Sequence, residues 1–258
     1  MGKILELFRS PVRISDVTPR LSQDTRSLIE DGLRLGMMVI RDDQDPPLRP
    51  SSTTKALYAL GHGPRTMSQI SARVTRKDHI DGSPFFVLDG LFEKSEVVKI
   101  DAFFRNHAYA MNRQSSYDDK TYLSAGTRLP IDLPMYARLE ASARMFFPQL
   151  RLEARRAQGN VIRYGDYQAA HVDAPVFPKK RKEVIVTALY YANKRWDSAW
   201  QGETVLYDKR EEPHSVIAPR PGRVLLSYGT DMHRSGVPSR LCQDPRMTVA
   251  VQFRTIPG

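Results

Sequence analysis

Arg163-Tyr164-Gly165-Asp166-Tyr167-Gln168-Ala169-Ala170-His171-Val172-Asp173 reads as a strand end, a glycine turn and a second strand with a histidine and an aspartate two positions apart. Residues i and i+2 of a strand point to the same side. His171 and Asp173 therefore share a face, and Val172 takes the other. A histidine and a carboxylate so placed can hold one metal ion. The third ligand must then come from another strand, so its distance in sequence is free, and the lone downstream His233 meets that need. Two imidazoles and one carboxylate are the ligand set of a mononuclear ferrous site with one face of the octahedron open.

Outward from this stretch, the second half of the chain is dense in short strands. They are expected over 157–164, 169–173, 184–191, 203–207, 214–217, 223–227 and 248–253. Turn signals at Gly165-Asp166, Pro175 to Pro178, Pro219 to Gly222 and Gly236 to Pro238 separate them. The run Val184-Ile185-Val186-Thr187-Ala188-Leu189-Tyr190-Tyr191 is too apolar to face water on either side. Many short strands with regular turns argue for a barrel or sandwich. Upstream, Phe85 to Leu88 reads as a strand, and a helix starts at Ser95 with Val97, Ile100 and Phe104 on one face. A second helix spans 134–147 and opens on Pro134, which suits a first turn. Residues 22–40 and 54–60 carry helical patterns around the break Pro46-Pro47-Leu48-Arg49-Pro50. Helices first and strands later make the class α+β. The expected division is a helical N-terminal extension, 1–84, packed on a strand-rich core, 85–258.

Composition narrows the function. The chain has 258 residues, 41% hydrophobic and 26% charged, as globular proteins do. No apolar run approaches the roughly 18 residues of a spanning helix. Glu6 and Arg9 fall where a signal peptide needs an apolar core, so a cytoplasmic protein with no membrane partner is expected. Cys242 is the only cysteine, which excludes an intrachain disulfide and any thiolate cluster, and no signature marks it as a nucleophile. A metal here must use nitrogen and oxygen ligands. The net charge of +10 favours acidic partners, although most of the charges are interspersed.

The strand half carries more than three ligands. In order it shows Tyr164, His171 and Asp173, Tyr190-Tyr191-Ala192-Asn193, Gly202-Glu203-Thr204, Pro221-Gly222-Arg223, His233 and Arg246. This order resembles the iron(II)- and 2-oxoglutarate-dependent oxygenases, especially their prolyl 4-hydroxylase-like branch, from about Phe85 to Phe253. The resemblance implies a double-stranded β-helix, a distorted jelly roll, with N-terminal and flanking helices. It also implies Fe(II), 2-oxoglutarate and O2 as cofactor and cosubstrates, with His171, Asp173 and His233 as iron ligands. Arg246 would bind the distal carboxylate of 2-oxoglutarate, because a guanidinium meets a carboxylate with two charge-assisted hydrogen bonds. Arg240 competes for that role, since thirteen positions separate His233 from Arg246. Arg246 is preferred because it opens the last apolar strand. Thr248 shares its face and would join the same carboxylate. Tyr191 should point inward with Leu189 and Thr187 and reach the cosubstrate, with Tyr190 on the other side. Tyr164 is a further candidate for that pocket. Gly202 should mark a bulge or close backbone approach, and His214 a rim or core position.

The implied reaction decarboxylates 2-oxoglutarate to succinate and carbon dioxide while an unactivated C–H bond is hydroxylated. Related halogenases carry Gly or Ala at the position of Asp173, so a carboxylate there disfavours chlorination. Desaturation and ring formation would use the same iron. The expected substrate is a small molecule, such as an amino acid or a carboxylated or carrier-bound biosynthetic intermediate. A peptidyl or protein hydroxylase is the alternative. A nucleic-acid demethylase is disfavoured, because Arg246 and Arg254 stand eight apart where such relatives show six. The basic run Lys179-Lys180-Arg181-Lys182 follows the metal strand, where resemblance puts a mobile substrate-covering loop, and would suit an anionic substrate. Residues 1–84 would cover the barrel, shape the pocket or form a homodimer contact.

Overall fold

A computed structural model describes residues 72–114, 121–174 and 183–256 of the chain. The expected helices over 22–40 and 54–60 and the basic run 179–182 lie outside those residues. The described elements are β1 (Arg73–Ile80), β2 (Ser83–Asp89), α1 (Lys94–Arg105), β3 (Ala110–Gln114), β4 (Thr121–Leu129), α2 (Met135–Phe146), β5 (Leu152–Ile162) and β6 (Tyr167–Gln168). They continue with β7 (Ile185–Tyr191), β8 (Thr204–Tyr207), β9 (Pro213–Ile217), β10 (Val224–Tyr228), β11 (His233–Ser235) and β12 (Arg246–Thr255).

Two sheets result. The larger runs β1-β2-β10-β7-β12-β5-β4-β3, with β6 paired to β4, and the smaller runs β11-β8-β9. All pairings are antiparallel. The strand β1 lies on the N-terminal side of the expected boundary at residue 84. Arg73–Ile80 pairs along β2 as a hairpin closed by Asp81-Gly82, so among the described residues the sheet includes Arg73 to Ile80. Its sequence, Arg-Val-Thr-Arg-Lys-Asp-His-Ile, is polar because β1 is an exposed edge strand.

Alternation along the strands separates two cores. Val186, Ala188 and Tyr190 of β7, Met247, Val249, Val251 and Phe253 of β12, and Val224 and Leu226 of β10 face the helices. There they meet Val97, Ile100, Phe103 and Phe104 of α1 and Met135, Tyr136, Leu139 and Ala143 of α2. Both helices therefore bury one stripe each, as their 3.6-residue period requires. The capping carboxylate Glu96 accepts the N–H of Glu93 and takes both arms of Arg138 at 2.8 and 2.7 Å, which ties α1 to α2. The opposite face of the large sheet meets the small one through Phe85, Val87, Leu189, Tyr191, Leu206, Ile217 and Leu225. Among the described residues no helix is long and apolar enough to cross a membrane.

One ion pair closes the end of the inter-sheet layer. Arg223 donates from Nε and Nη2 to the two oxygens of Asp89, both at 2.8 Å, and from Nη1 to Ala218 O at 2.9 Å. Burial pushes the Asp89 carboxyl up, but the Arg223 fork outweighs it and holds the group below its ordinary value. Stability from this pair is therefore fully present above about pH 3.9 and is lost as pH falls through the lower folded-state value. Arg223→Met, which strands the Asp89 carboxylate, should cost about 3 kcal/mol in denaturant unfolding at neutral pH. It should also remove that share of the acid sensitivity.

Candidate active site

The three ligands chosen from sequence meet between the sheets. The His171 and His233 backbones exchange both hydrogen bonds, N–H to C=O at 2.9 Å each way, so the two residues lie directly opposite. That single bridge is all that remains of the strand expected over 169–173. The chain bends away because the N–H groups of Asp173 and Ala174 both donate to Gly229 O at 2.8 Å. The carboxylate of Asp173 stands 4.0 Å from Nε2 of His171 and 4.0 Å from Nε2 of His233. One ligand atom from each residue lies within 4.8 Å of the others.

Each partner of these side chains sets up ligation. His171 Nδ1 meets Ala169 O at 2.9 Å, and His233 Nδ1 meets Asp231 O at 3.0 Å. A carbonyl only accepts, so Nδ1 carries a proton and Nε2 is the nitrogen left to face a metal. Thr187 donates its hydroxyl to Asp173 Oδ2 at 2.8 Å, which fixes the carboxylate. Burial pushes the Asp173 carboxyl up, but the two imidazoles, His233 first, and Thr187 bring it below its ordinary value. Asp231 is held in turn by Ser83 Oγ at 2.7 Å and Tyr228 N–H at 3.0 Å, so β2 and β10 both position the His233 turn.

A cleft opens at this triad. It is lined by the three ligands together with Asn160, Gln168, Thr187, Leu189, Leu225, Ser227, Ser235 and Ala250. Thr248 and Arg246 lie on the Ala250 face of β12, two and four positions further in, and Tyr191 lies two beyond Leu189 on β7. Arg246 is fully buried. Its Nε donates to Gly202 O at 2.6 Å and its Nη2 to Thr204 Oγ1 at 2.8 Å. The Tyr191 ring lies 5.3 Å from the guanidinium carbon, and its hydroxyl donates to Thr204 Oγ1 at 2.7 Å. Arg246 Nη1 and Thr248 Oγ1 are buried with no hydrogen-bond partner. A buried cation with an unused donor beside an unused hydroxyl is costly unless an anion completes it. This corner therefore fits a carboxylate such as that of 2-oxoglutarate.

Other sequence expectations divide. Tyr190 turns to the helix-side core, opposite Tyr191, as alternation requires. Gly202, at φ +83°, brings its carbonyl onto Arg246, and an added Cβ would lie 3.1 Å from Trp196 and 3.2 Å from Arg246. Arg240 is exposed, which removes it as the competitor of Arg246. Arg254 is also exposed and pairs with Glu153 at 2.6 Å. His214 lies exposed on β9, its Nδ1 3.0 Å from Ser215 Oγ. Tyr164 is a correction. It is 62% exposed, at a turn in which Asp166 N–H donates to Arg163 O and Gly165 takes φ +86°. That turn leaves Tyr164 exposed among the described residues and outside the lining of the cleft. Sequence reading missed Thr187 and gave no role to the Thr204 hydroxyl. A β-branched residue in an apolar strand is the ordinary core pattern, and only the inward parity of residue 187 pointed to the metal.

Residues 159–254 match the family model described as the 2OG-Fe(II) oxygenase superfamily. No curated protein matches the chain. Among solved structures, a prolyl-4-hydroxylase from Pseudomonas putida is similar, with 14% identity, 67% of this chain and 93% of that one covered, and a TM-score of 0.50. A viral collagen prolyl hydroxylase from Paramecium Bursaria Chlorella virus-1 shows 16% identity, 69% and 100% coverage, and a TM-score of 0.50. A non-heme alpha-ketoglutarate-dependent carbocyclase from nogalamycin biosynthesis shows 10% identity, 66% and 79% coverage, and a TM-score of 0.51. At these identities the likeness is one of fold, the double-stranded β-helix.

Two substitutions check this geometry. Gly202→Ala forces a side chain into a positive φ and against Arg246, and should lower stability by about 1–2 kcal/mol while weakening 2-oxoglutarate binding. Thermal melting and calorimetric titration read the two effects. Tyr164→Ala should leave both measurements as in the unaltered protein.

Proposed function

We propose that this chain, an oxygenase of the 2OG-Fe(II) superfamily with its match over residues 159–254, hydroxylates an unactivated C–H bond of a small-molecule substrate and forms succinate and carbon dioxide. The observation that carries the reading is the His171-Asp173-His233 cluster in a cleft lined by Ala250 of β12, with a buried Arg246, whose Nη1 has no partner, on the same face of that strand. His171, Asp173 and His233 would hold the iron. Arg246 would take the distal carboxylate of 2-oxoglutarate with a charge-assisted contact, Thr248 would add its hydroxyl, and Tyr191 would wall the pocket. Bound iron supplies the oxygen chemistry that side chains lack. The protein's share is placement: Thr187 and the two carbonyl-anchored imidazoles orient the ligands, and the apolar pair Leu189 and Leu225 limits water beside them.

The carboxylate at Asp173 supports hydroxylation over chlorination, since it fills the position a halide would need. The net charge of +10 supports an anionic substrate, and Lys179 to Lys182 would contribute to its capture. The exposed Arg254, paired with Glu153, speaks against the nucleic-acid reading, which needs a second arginine in the site. A cytoplasmic location and a homodimer remain part of the proposal and rest on sequence alone.

The test is succinate release from 2-oxoglutarate in the presence of Fe(II), screened over amino acids, peptides and carrier-bound acids. His171→Ala should abolish metal-dependent turnover while the fold persists; full activity would sink the assignment. Arg246→Ala should raise the 2-oxoglutarate requirement by at least tenfold, since a charged hydrogen bond contributes on the order of 1.5–3 kcal/mol. Arg240→Ala should leave it unchanged, and the reverse pattern would refute the register. Coupled turnover on peptides alone would replace the small-molecule reading by a peptidyl hydroxylase.

A further inference from the structure

We infer that Asn193 is a positioning residue that clamps the backbone on both sides of Arg246 and thereby aims the guanidinium at its anion. This rests on the proposed role of Arg246 in binding 2-oxoglutarate. The ladder between β12 and β7 runs from Arg254↔Ile185 to Thr248↔Tyr191 and stops there. One more bond, Ala192 N–H to Met247 O at 2.9 Å, follows it. Arg246 lies beyond that end. Its predecessor, Pro245, has no N–H and cannot extend a ladder. Among the described residues only β5, through Arg246↔Ile162, pairs this end of β12 from the other side. A strand end paired on one side frays more readily than a paired interior. A long arginine amplifies any such motion at its tip.

Asn193 replaces the missing ladder. It is 4% exposed. Its Oδ1 accepts Met247 N–H at 2.8 Å, and its Nδ2 donates to Pro245 O at 2.8 Å. The orientation of the amide is fixed, because the Met247 N–H only donates and the Pro245 carbonyl only accepts. One side chain therefore holds the residues immediately before and after Arg246. The clamp is braced from outside by α1. Asp101 accepts Lys194 N–H at 3.0 Å and pairs with Arg105 at 2.8 Å, and Arg105 reaches Asp244 at 3.1 Å. The residue after Asn193 and the residue before Pro245 are thus tied to the same helix. The hydrogen bonds and ion pairs of this network run among Asp101, Arg105, Asn193, Lys194, Asp244, Pro245 and Met247, so its effect should fall on the cosubstrate and spare the metal.

The test is a double-mutant cycle on Mn(II)-loaded full-length protein, with Mn(II) and 2-oxoglutarate dissociation constants measured by titration calorimetry. Asn193→Ala should weaken 2-oxoglutarate on the order of tenfold, within the range seen for coupled neighbours. It should leave the Mn(II) constant within about twofold, inside the usual limit of additivity for distant sites. Asn193→Ala combined with Arg246→Ala should bind no more weakly than Arg246→Ala alone, because a clamp has nothing left to aim. Losses that add, or a Mn(II) constant that falls in step, would overturn the clamp and return Asn193 to general stability. An Arg246→Ala protein that binds 2-oxoglutarate like the unaltered protein would overturn the underlying reading instead, and the clamp with it. If Asn193→Ala fails to fold, Asn193→Asp decides. It keeps the acceptor for Met247 and loses the donor to Pro245, so an intermediate loss supports the clamp and unchanged binding refutes it.

Discussion

A guanidinium with no exposure to water and one nitrogen unpartnered is the constraint on which the rest of this site depends. Burying a charge is expensive unless partners surround it. Arg246 receives a carbonyl from Gly202, a hydroxyl from Thr204 and the face of Tyr191, all neutral. None of them cancels the charge. Burial accordingly lowers the pKa of the guanidinium, yet an arginine stays protonated. The stable completion is an anion delivered down the cleft, and iron held by two neutral imidazoles and one carboxylate would keep one positive charge near its other end. A dianion with two carboxylates would meet a positive charge at each end.

The sheets explain why the cleft exists. Inner-facing residues of β7, β10 and β2 meet the small sheet through apolar side chains, whereas the inner face of β5 carries Arg156, Gln158 and Asn160. The metal cluster lies at the seam between the apolar and polar halves, where β11 crosses over residue 171. One side of the cleft can therefore exclude water while the other offers hydrogen bonds. The helices serve the same end from outside. They bury the opposite face of the large sheet and leave its inner face free to be specialised.

Residue chemistry made the metal ligands legible, because His-x-Asp and a distant His have few other reasons to occur with these neighbours. Alternation made Tyr190 and Tyr191 legible as opposite-facing residues. The edge strand β1 was hidden, since an exposed edge carries charges and shows no buried stripe. The hairpin of β3 and β4 was hidden too, for its segment lacks a regular apolar alternation. Tyr164 misled because an aromatic before a metal strand suggests a pocket wall, while the turn geometry at Gly165 decides where it points. Thr187, Thr204 and Asn193 act through hydrogen bonds to chain segments distant in sequence, and only the crossing of strands brings those partners together.

In the proposed function His171, Asp173 and His233 would hold a ferrous ion, and Arg246 would take the far carboxylate of 2-oxoglutarate. Anaerobic titration of the Fe(II)-loaded protein with 2-oxoglutarate, followed by visible absorption, tests it most directly. Chelation of ferrous iron by a 2-oxo acid should produce a metal-to-ligand charge-transfer band that saturates at one equivalent. His233→Ala should lose the band at every concentration, and Arg246→Ala should regain it only at much higher 2-oxoglutarate. A folded, Fe(II)-loaded protein that develops no band, or a His233→Ala protein that develops the full one, would contradict the account.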